Sequence, residues 1–286
     1  MLRSVLSFMT LLLGVIVPLT VAAHKGHDHS GMSPVKINQA HVDRSIPWAG
    51  KRVAFLGDSM TDPANSSSVL KYWNYLDSLT GIRPVVFARS GYRWDGIYRK
   101  AQELADSVPA DSLDAIFIWA GTNDFNGSVP PGSLFTETVD SVRVNGTPSA
   151  RRHRTISLAD STVSGNINLT LKYLKTNYPR IPIVVMTPIH RGYARFSAKN
   201  EQPSEEWANG LGLYIDLYVS LIRRGAELWS VPVIDLFAES GIVPSLDSNI
   251  PYIHDSGSDR LHPSDEGHYR IARIIQSRLA TIPVSD

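Results

Sequence analysis

Ser59 stands in Gly57-Asp58-Ser59-Met60-Thr61-Asp62, directly after the apolar run 53–56. A serine hydroxyl is a poor nucleophile unless a base takes its proton and a third group orients that base. Both partners are on offer in Asp259-Arg260-Leu261-His262-Pro263. This spacing lets one local turn bring the carboxylate to one imidazole nitrogen and aim the other outward. The same five residues also read as a polar turn ahead of a last helix capped by Ser264 or Asp265. A further candidate is Asn123 in Gly121-Thr122-Asn123-Asp124, after the run 115–120. At a strand's carboxyl end its amide can donate to a developing oxyanion, a contact worth about 3 kcal/mol in the transition state. An Asn-Asp pair is equally a turn former. Ser90-Gly91 likewise follows the run 84–88 and is open to either reading.

These residues need elements to bring them together. Five short apolar runs, 53–56, 84–88, 115–120, 183–187 and 231–236, have the length and β-branched content of strands buried on both faces. Between several of them lie helical spacings: Val69-Tyr72-Trp73-Leu76, Ile167-Leu171-Leu174, Leu213-Leu217-Leu221 and, last, Ile271-Ile274-Ile275. Strand alternating with helix predicts a parallel sheet covered on both sides, because parallel neighbours need a crossover. In such sheets the ligand sits at the carboxyl ends of the strands. Residues 57–59, 89–91 and 121–124 then converge on one crevice. Residues 125–160 break the alternation and read as an elaborated loop with a hairpin turning at Asn145-Gly146. Its Arg151-Arg152-His153-Arg154 cluster reads as a solvated face or an anion contact.

The order Gly57-Asp58-Ser59, Gly91, Gly121-x-Asn123-Asp124 and Asp259-x-x-His262 resembles the four blocks of the SGNH/GDSL hydrolase family, over roughly residues 52–280. The resemblance implies a three-layer α/β/α flavodoxin-like fold with a central parallel five-stranded sheet, and ester hydrolysis without metal or organic cofactor. By matching position, Ser59 is the nucleophile, His262 the general base and Asp259 its orienter. The oxyanion hole falls to the backbone N–H groups of Ser59 and Gly91 and the side-chain amide of Asn123. The chain departs from the family in having no Asn shortly before Gly91. Asp255, a rival orienter, lacks the family spacing to His262.

Tyr92, Trp94, Phe125, His190, Arg191 and Tyr193 fall near the same sheet edge and are expected to line the substrate site. Aromatics interleaved with Arg and His suit an acylated sugar better than a long acyl tail. The family resemblance then suggests removal of O-acetyl groups from a carbohydrate through an acyl-enzyme, with a lipase or thioesterase as the alternative within the class.

The remaining features bound the compartment and the partners. Arg3, the apolar stretch 11–21 and Val21-Ala22-Ala23 read as a secretory signal peptide cleaved near Ala23, giving a secreted or periplasmic protein. Gly14 and Pro18 interrupt the stretch, which is shorter than the roughly 20 residues of a membrane span. The chain carries 28 Lys+Arg against 27 Asp+Glu, a balance that gives no reason to expect nucleic acid. It has no cysteine, which excludes disulfides, thiolate metal sites and a cysteine nucleophile. Residues 24–48 read as a flexible arm ahead of a hydrolase domain at 49–286. His24, His27 and His29 in that arm raise a second reading, a metal-binding or carbohydrate-binding module with a decayed site. Asn65, Asn126, Asn145 and Asn168 begin Asn-x-Ser/Thr triplets.

Overall fold

The computed structural model describes residues 33–284. The chain first alternates: β1 (Arg52–Gly57), α1 (Tyr72–Thr80), β2 (Arg83–Ala88), α2 (Trp94–Ser107), β3 (Ala115–Trp119) and the short α3 (Thr122–Asn126). A hairpin of β4 (Phe135–Val144) and β5 (Thr147–Ile156) interrupts before α4 (Val163–Asn177), β6 (Ile183–Met186) and the short strands β7 (Ala194–Ser197) and β8 (Asn200–Gln202). Then come α5 (Ile215–Leu228), β9 (Val233–Ile234), α6 (Leu236–Glu239), β10 (Ile253–Asp255), β11 (Asp259–Pro263) and α7 (Asp265–Leu279).

The central sheet has the order β2-β1-β3-β6-β9 and every pairing in it is parallel. Its strands are the five apolar runs, and β1 shows why those runs lack polar alternation. Val53 and Phe55 pack into a cluster with Tyr72 and Leu76 of α1 and Ile271 and Ile275 of α7. Ala54 and Leu56 point the other way, into Ile97 of α2, Ile167 of α4 and Val219 of α5. Both sheet faces are thus covered, the α/β/α layering the sequence predicts. Burying one side chain the size of Leu56 or Phe55 contributes about 1.5–3 kcal/mol. Strand order reverses at β1, where β2 leaves to one side and β3 to the other, so a crevice opens at the carboxyl ends of β1 and β3. Among the described residues no helix is long and apolar enough to cross a membrane.

Four readings change. Of the expected flexible arm, residues 33–48 pack on the domain instead. The Trp48 indole donates to the carbonyl of Leu279 at 2.9 Å, the Val35 N–H to the Tyr75 hydroxyl at 3.0 Å, and Val35, Ile37 and Ile46 lie on the α1–α7 core. These apolar side chains have no period because the strap that carries them is irregular. Residues 1–32, which include the expected signal peptide and His24, His27 and His29, lie outside the described residues. The segment before α7 is not only a turn, since Asp259–Pro263 is a strand in a second sheet of order β10-β11-β7-β8. Ser264 does cap α7, its Oγ accepting from the Gly267 N–H at 3.2 Å, with Asp265 and Glu266 favourably placed in the first turn. The buried face of α5 is Ile215, Tyr218, Val219 and Ile222, with Leu217 exposed, and the helix α2 joins the four spacings read from the sequence. Within 125–160 the hairpin does turn at Asn145-Gly146, both residues having positive φ as a two-residue turn of this kind requires. Asn168 is buried, its amide bound to the carbonyls of Leu134 and Ser157, so its triplet is no surface site.

Candidate active site

The chain leaves β1 at Gly57 and turns at once, the N–H groups of Thr61 and Asp62 both donating to the carbonyl of Asp58. Gly57 is required here because a Cβ would strike the Thr61 side chain and approach the Trp119 carbonyl at 3.1 Å. The turn sets Ser59 at the crevice floor, largely buried, with its Oγ 2.9 Å from Nε2 of His262. Nδ1 of His262 lies 2.8 Å from Oδ2 of Asp259. The other carboxylate oxygen, Oδ1, accepts from the N–H groups of Leu261 and His262, both at 3.1 Å. Asp259 is therefore held on three sides and cannot rotate away from the imidazole. Burial pushes its carboxyl up, but the hydrogen bond and charge of His262 outweigh that and hold it below the usual carboxylate range. An ionised partner on Nδ1 leaves Nε2 free to take a proton from Ser59. Asp255 takes no part, since its carboxylate closes a turn with Gly257 and Ser258.

The N–H groups of Ser59 and Gly91 have no hydrogen-bond partner among the described residues. Gly91 sits at φ +80° after β2, a conformation that side chains rarely adopt. The turn before it is tied to the β1 loop, Asp62 Oδ2 accepting from both the N–H and the hydroxyl of Ser90 at 2.7 and 2.8 Å. Asn123, in the first turn of α3, donates its amide to the Tyr92 carbonyl at 3.0 Å and to Asp58 Oδ2 at 3.2 Å. Two acceptors fix which end is nitrogen. They also mean that an oxyanion must draw one N–H from a bond already made, the longer one to Asp58 being the readier to yield.

Under this floor lie two fully buried acids. Burial pushes Asp58 up to about 6, against the Met60 N–H and the charge of His262. Burial pushes Asp124 up to about 8, against the Trp94 N–H that both its oxygens receive. Behind the imidazole, His268 is buried with neither ring nitrogen partnered among the described residues, and burial followed by Lys71 drives it well below the usual histidine range. That environment favours its neutral form.

The expected lining residues divide. Trp94 and Phe125 do not line the site: both belong to the core on the α2–α5 side, Phe125 edge-on to Tyr218. Arg191 is 2% exposed and binds Thr122 and Gln202. Tyr92, His190 and Tyr193 are partly exposed, His190 Nδ1 meeting Glu205 at 2.5 Å. A strand-to-helix junction points alternate side chains into the core, which sequence position cannot reveal. Two residues at the site were not singled out from the sequence. Asp58 is one, quoted from the sequence only as part of the Gly57-Asp58-Ser59 block and given no role of its own. The other is Phe196, 43% exposed and edge-on to the His262 ring at 5.4 Å, which no local pattern marks.

Residues 55–270 match the profile of the GDSL-like Lipase/Acylhydrolase family. The chain belongs to that family. Membership supports an enzyme that hydrolyses esters. Among solved structures, a protein from Lactobacillus plantarum is 24% identical with a TM-score of 0.62, over 82% of this chain and 98% of that one. A protein described as a possible lipase, from Chitinophaga pinensis, is 18% identical with a TM-score of 0.61, over 80% and 98% respectively. A salicylyl-acyltransferase from a tetracycline biosynthetic pathway is 14% identical with a TM-score of 0.52, over 82% of this chain and 56% of that one. At these identities the likeness is one of fold. No curated protein matches the chain significantly.

Proposed function

We propose that this protein is an exported serine esterase that removes O-acetyl groups from a carbohydrate through an acyl-enzyme. The observation that carries the serine mechanism is the unbroken line of contacts from Ser59 Oγ to His262 Nε2 at 2.9 Å and from His262 Nδ1 to Asp259 at 2.8 Å. Ser59 Oγ attacks the ester carbonyl while His262 takes its proton, and the carbonyl π pair moves onto oxygen. The N–H groups of Ser59 and Gly91 and the Asn123 amide receive that oxyanion. As the bond to the leaving alkoxide breaks, His262 returns the proton to it. Water then repeats the sequence on the acyl-enzyme, freeing acetate and Ser59.

The sugar reading is supported by what surrounds the serine. Arg89, Ser90, Gly91 and Arg93 form an exposed polar lip, and the Tyr92 ring beside it is flanked by Arg89, Arg99 and Lys100 at 5.4–5.6 Å. Such a lip suits a hydroxylated ring better than an acyl chain, which would strip water from these charges without replacing it. Acetate release from a panel of acetylated polysaccharides tests reaction and substrate together, and a serine-directed phosphonate should label Ser59 alone. Labelling elsewhere, with Ser59 untouched, would end the serine reading. Export rests on the first 23 residues, and N-terminal sequencing of the mature protein should begin at His24.

A further inference from the structure

Segment 203–214, between β8 and α5, has no regular secondary structure yet is tied down along its length. The Asn209 amide donates to the Phe125 carbonyl at 3.0 Å and the Tyr218 hydroxyl at 2.8 Å, and its oxygen accepts from the N–H groups of Leu211 and Leu213. Glu205 bridges His190 and the Arg191 N–H, the latter at 2.9 Å. On this held loop Trp207 is 68% exposed, the most exposed aromatic side chain among the described residues. Glu205 and Glu206, immediately before it in the chain, help to wall a cleft of about 440 Å³ whose lining also includes Arg191, Tyr193 and Arg260. That volume falls within the roughly 300–1,000 Å³ of small-molecule sites.

The chemistry of the cleft narrows its ligand. Its walls carry two arginines and two glutamates, so no net charge selects an anion. Arg191 is almost wholly buried, its guanidinium bound to Thr122 and Gln202 beneath the cleft, so it forms a fixed polar base there and not a mobile charge. An acyl tail would strip water from the charged walls without replacing its hydrogen bonds. A neutral polyhydroxylated ring meets them with alternating donors and acceptors and can lay its C–H face on the indole. Arg260 precedes His262 by two residues on β11, roughly 7 Å at strand spacing, so the cleft borders the reacting centre without containing it.

We propose that this cleft and its Trp207 rim form a glycan subsite holding a neutral sugar unit that adjoins the esterified one. The proposal rests on the carbohydrate-ester reading but is testable apart from it. The mature full-length Ser59→Ala protein would be titrated calorimetrically with unesterified xylo-, cello-, manno- and chito-tetraose, with and without Trp207→Ala. At least one oligosaccharide should bind, and loss of the exposed indole should weaken it about tenfold or more, as for an aromatic anchor. In the Ser59 background, the ratio of kcat/KM on the acetylated form of that oligosaccharide to kcat/KM on p-nitrophenyl acetate should fall about tenfold with Trp207→Ala, mainly through KM. Equal affinities with and without Trp207, or no binding to any of the four, overturns the subsite. Trp207-dependent binding by a protein that hydrolyses neither ester keeps the subsite and ends the esterase reading.

Discussion

The two halves of the candidate site are carried by unlike parts of the molecule. Ser59, Gly91 and Asn123 follow β1, β2 and β3, adjacent strands in continuous parallel register, with β1 and β3 packed on both faces. Asp259 and His262 lie on β11, a strand of a small antiparallel sheet whose link to β7 is the single pair Asp259 with Ala194. The first half takes its geometry from the core of the fold, and little can shift there without moving the sheet. The second takes its geometry from local hydrogen bonds to one carboxylate. The proposed nucleophile and oxyanion donors are thus a property of the architecture, and the proposed base is a property of five residues.

Removing the serine breaks the comparison outright. Ser59→Ala and His262→Ala should each cut ester hydrolysis by about 10⁴ or more with melting temperatures near that of the parent, because the two act as a unit. Wild-type-like turnover by either variant would remove the pair from catalysis. Asp259→Ala comes next, about 10²–10⁴, since it orients the base without taking the proton. It should also lower stability, because the N–H groups of Leu261 and His262 lose their acceptor. Asp255→Ala should stay close to the parent in rate, and the reverse ranking of the two aspartates would sink the assignment.

The sheet side is sharpened by Asn123→Ala. It should lower kcat by about 10² with little change in KM, less than either loss above because two backbone donors remain. If only the melting temperature moves, Asn123 is structural. The smallest effect concerns the acids beneath the floor. Folding holds Asp124 up at about 8 from an ordinary value of 3.8. Between those pH values the unfolded chain has released a proton that the folded one keeps, so stability falls as pH rises and levels off above about pH 8, by up to a few kcal/mol. Asp58 adds the same sign over the narrower window up to about 6. Asp124→Asn, whatever its offset at pH 5, should lose less melting temperature than the parent between pH 5 and 8.5. Parallel curves would show that the acid ionises at its ordinary value in the fold.

What was legible in the sequence follows the same division. Strands buried on both faces announce themselves as unbroken apolar runs, so the sheet and the residues at its carboxyl ends could be read together. Helix α2 carries Trp94, Ile97, Ala101 and Leu104 at helical spacing, but its Arg, Lys and Glu residues dilute that stripe. Trp94 and Phe125 were misplaced because adjacency to a site residue says nothing about which way a side chain turns. The burial of Arg191 was hidden for a related reason: a guanidinium is ordinarily a surface group, and only three-dimensional partners reveal a buried one. Trp207 went unremarked because exposure has no signature in a single sequence.

The hairpin of β4 and β5 is closed at its base. The Ser157 N–H donates to the Leu134 carbonyl at 3.0 Å, and the buried Asn168 amide clasps the carbonyls of both residues. From there the two ten-residue strands extend roughly 34 Å at antiparallel strand rise. To the core this insertion is a loop already shut, so lengthening it costs only the slow logarithmic growth of closure entropy. The tip at Asn145-Gly146 is therefore a graft point: a reporter or a second binding module spliced there would ride on the enzyme with its folding left to the sheet.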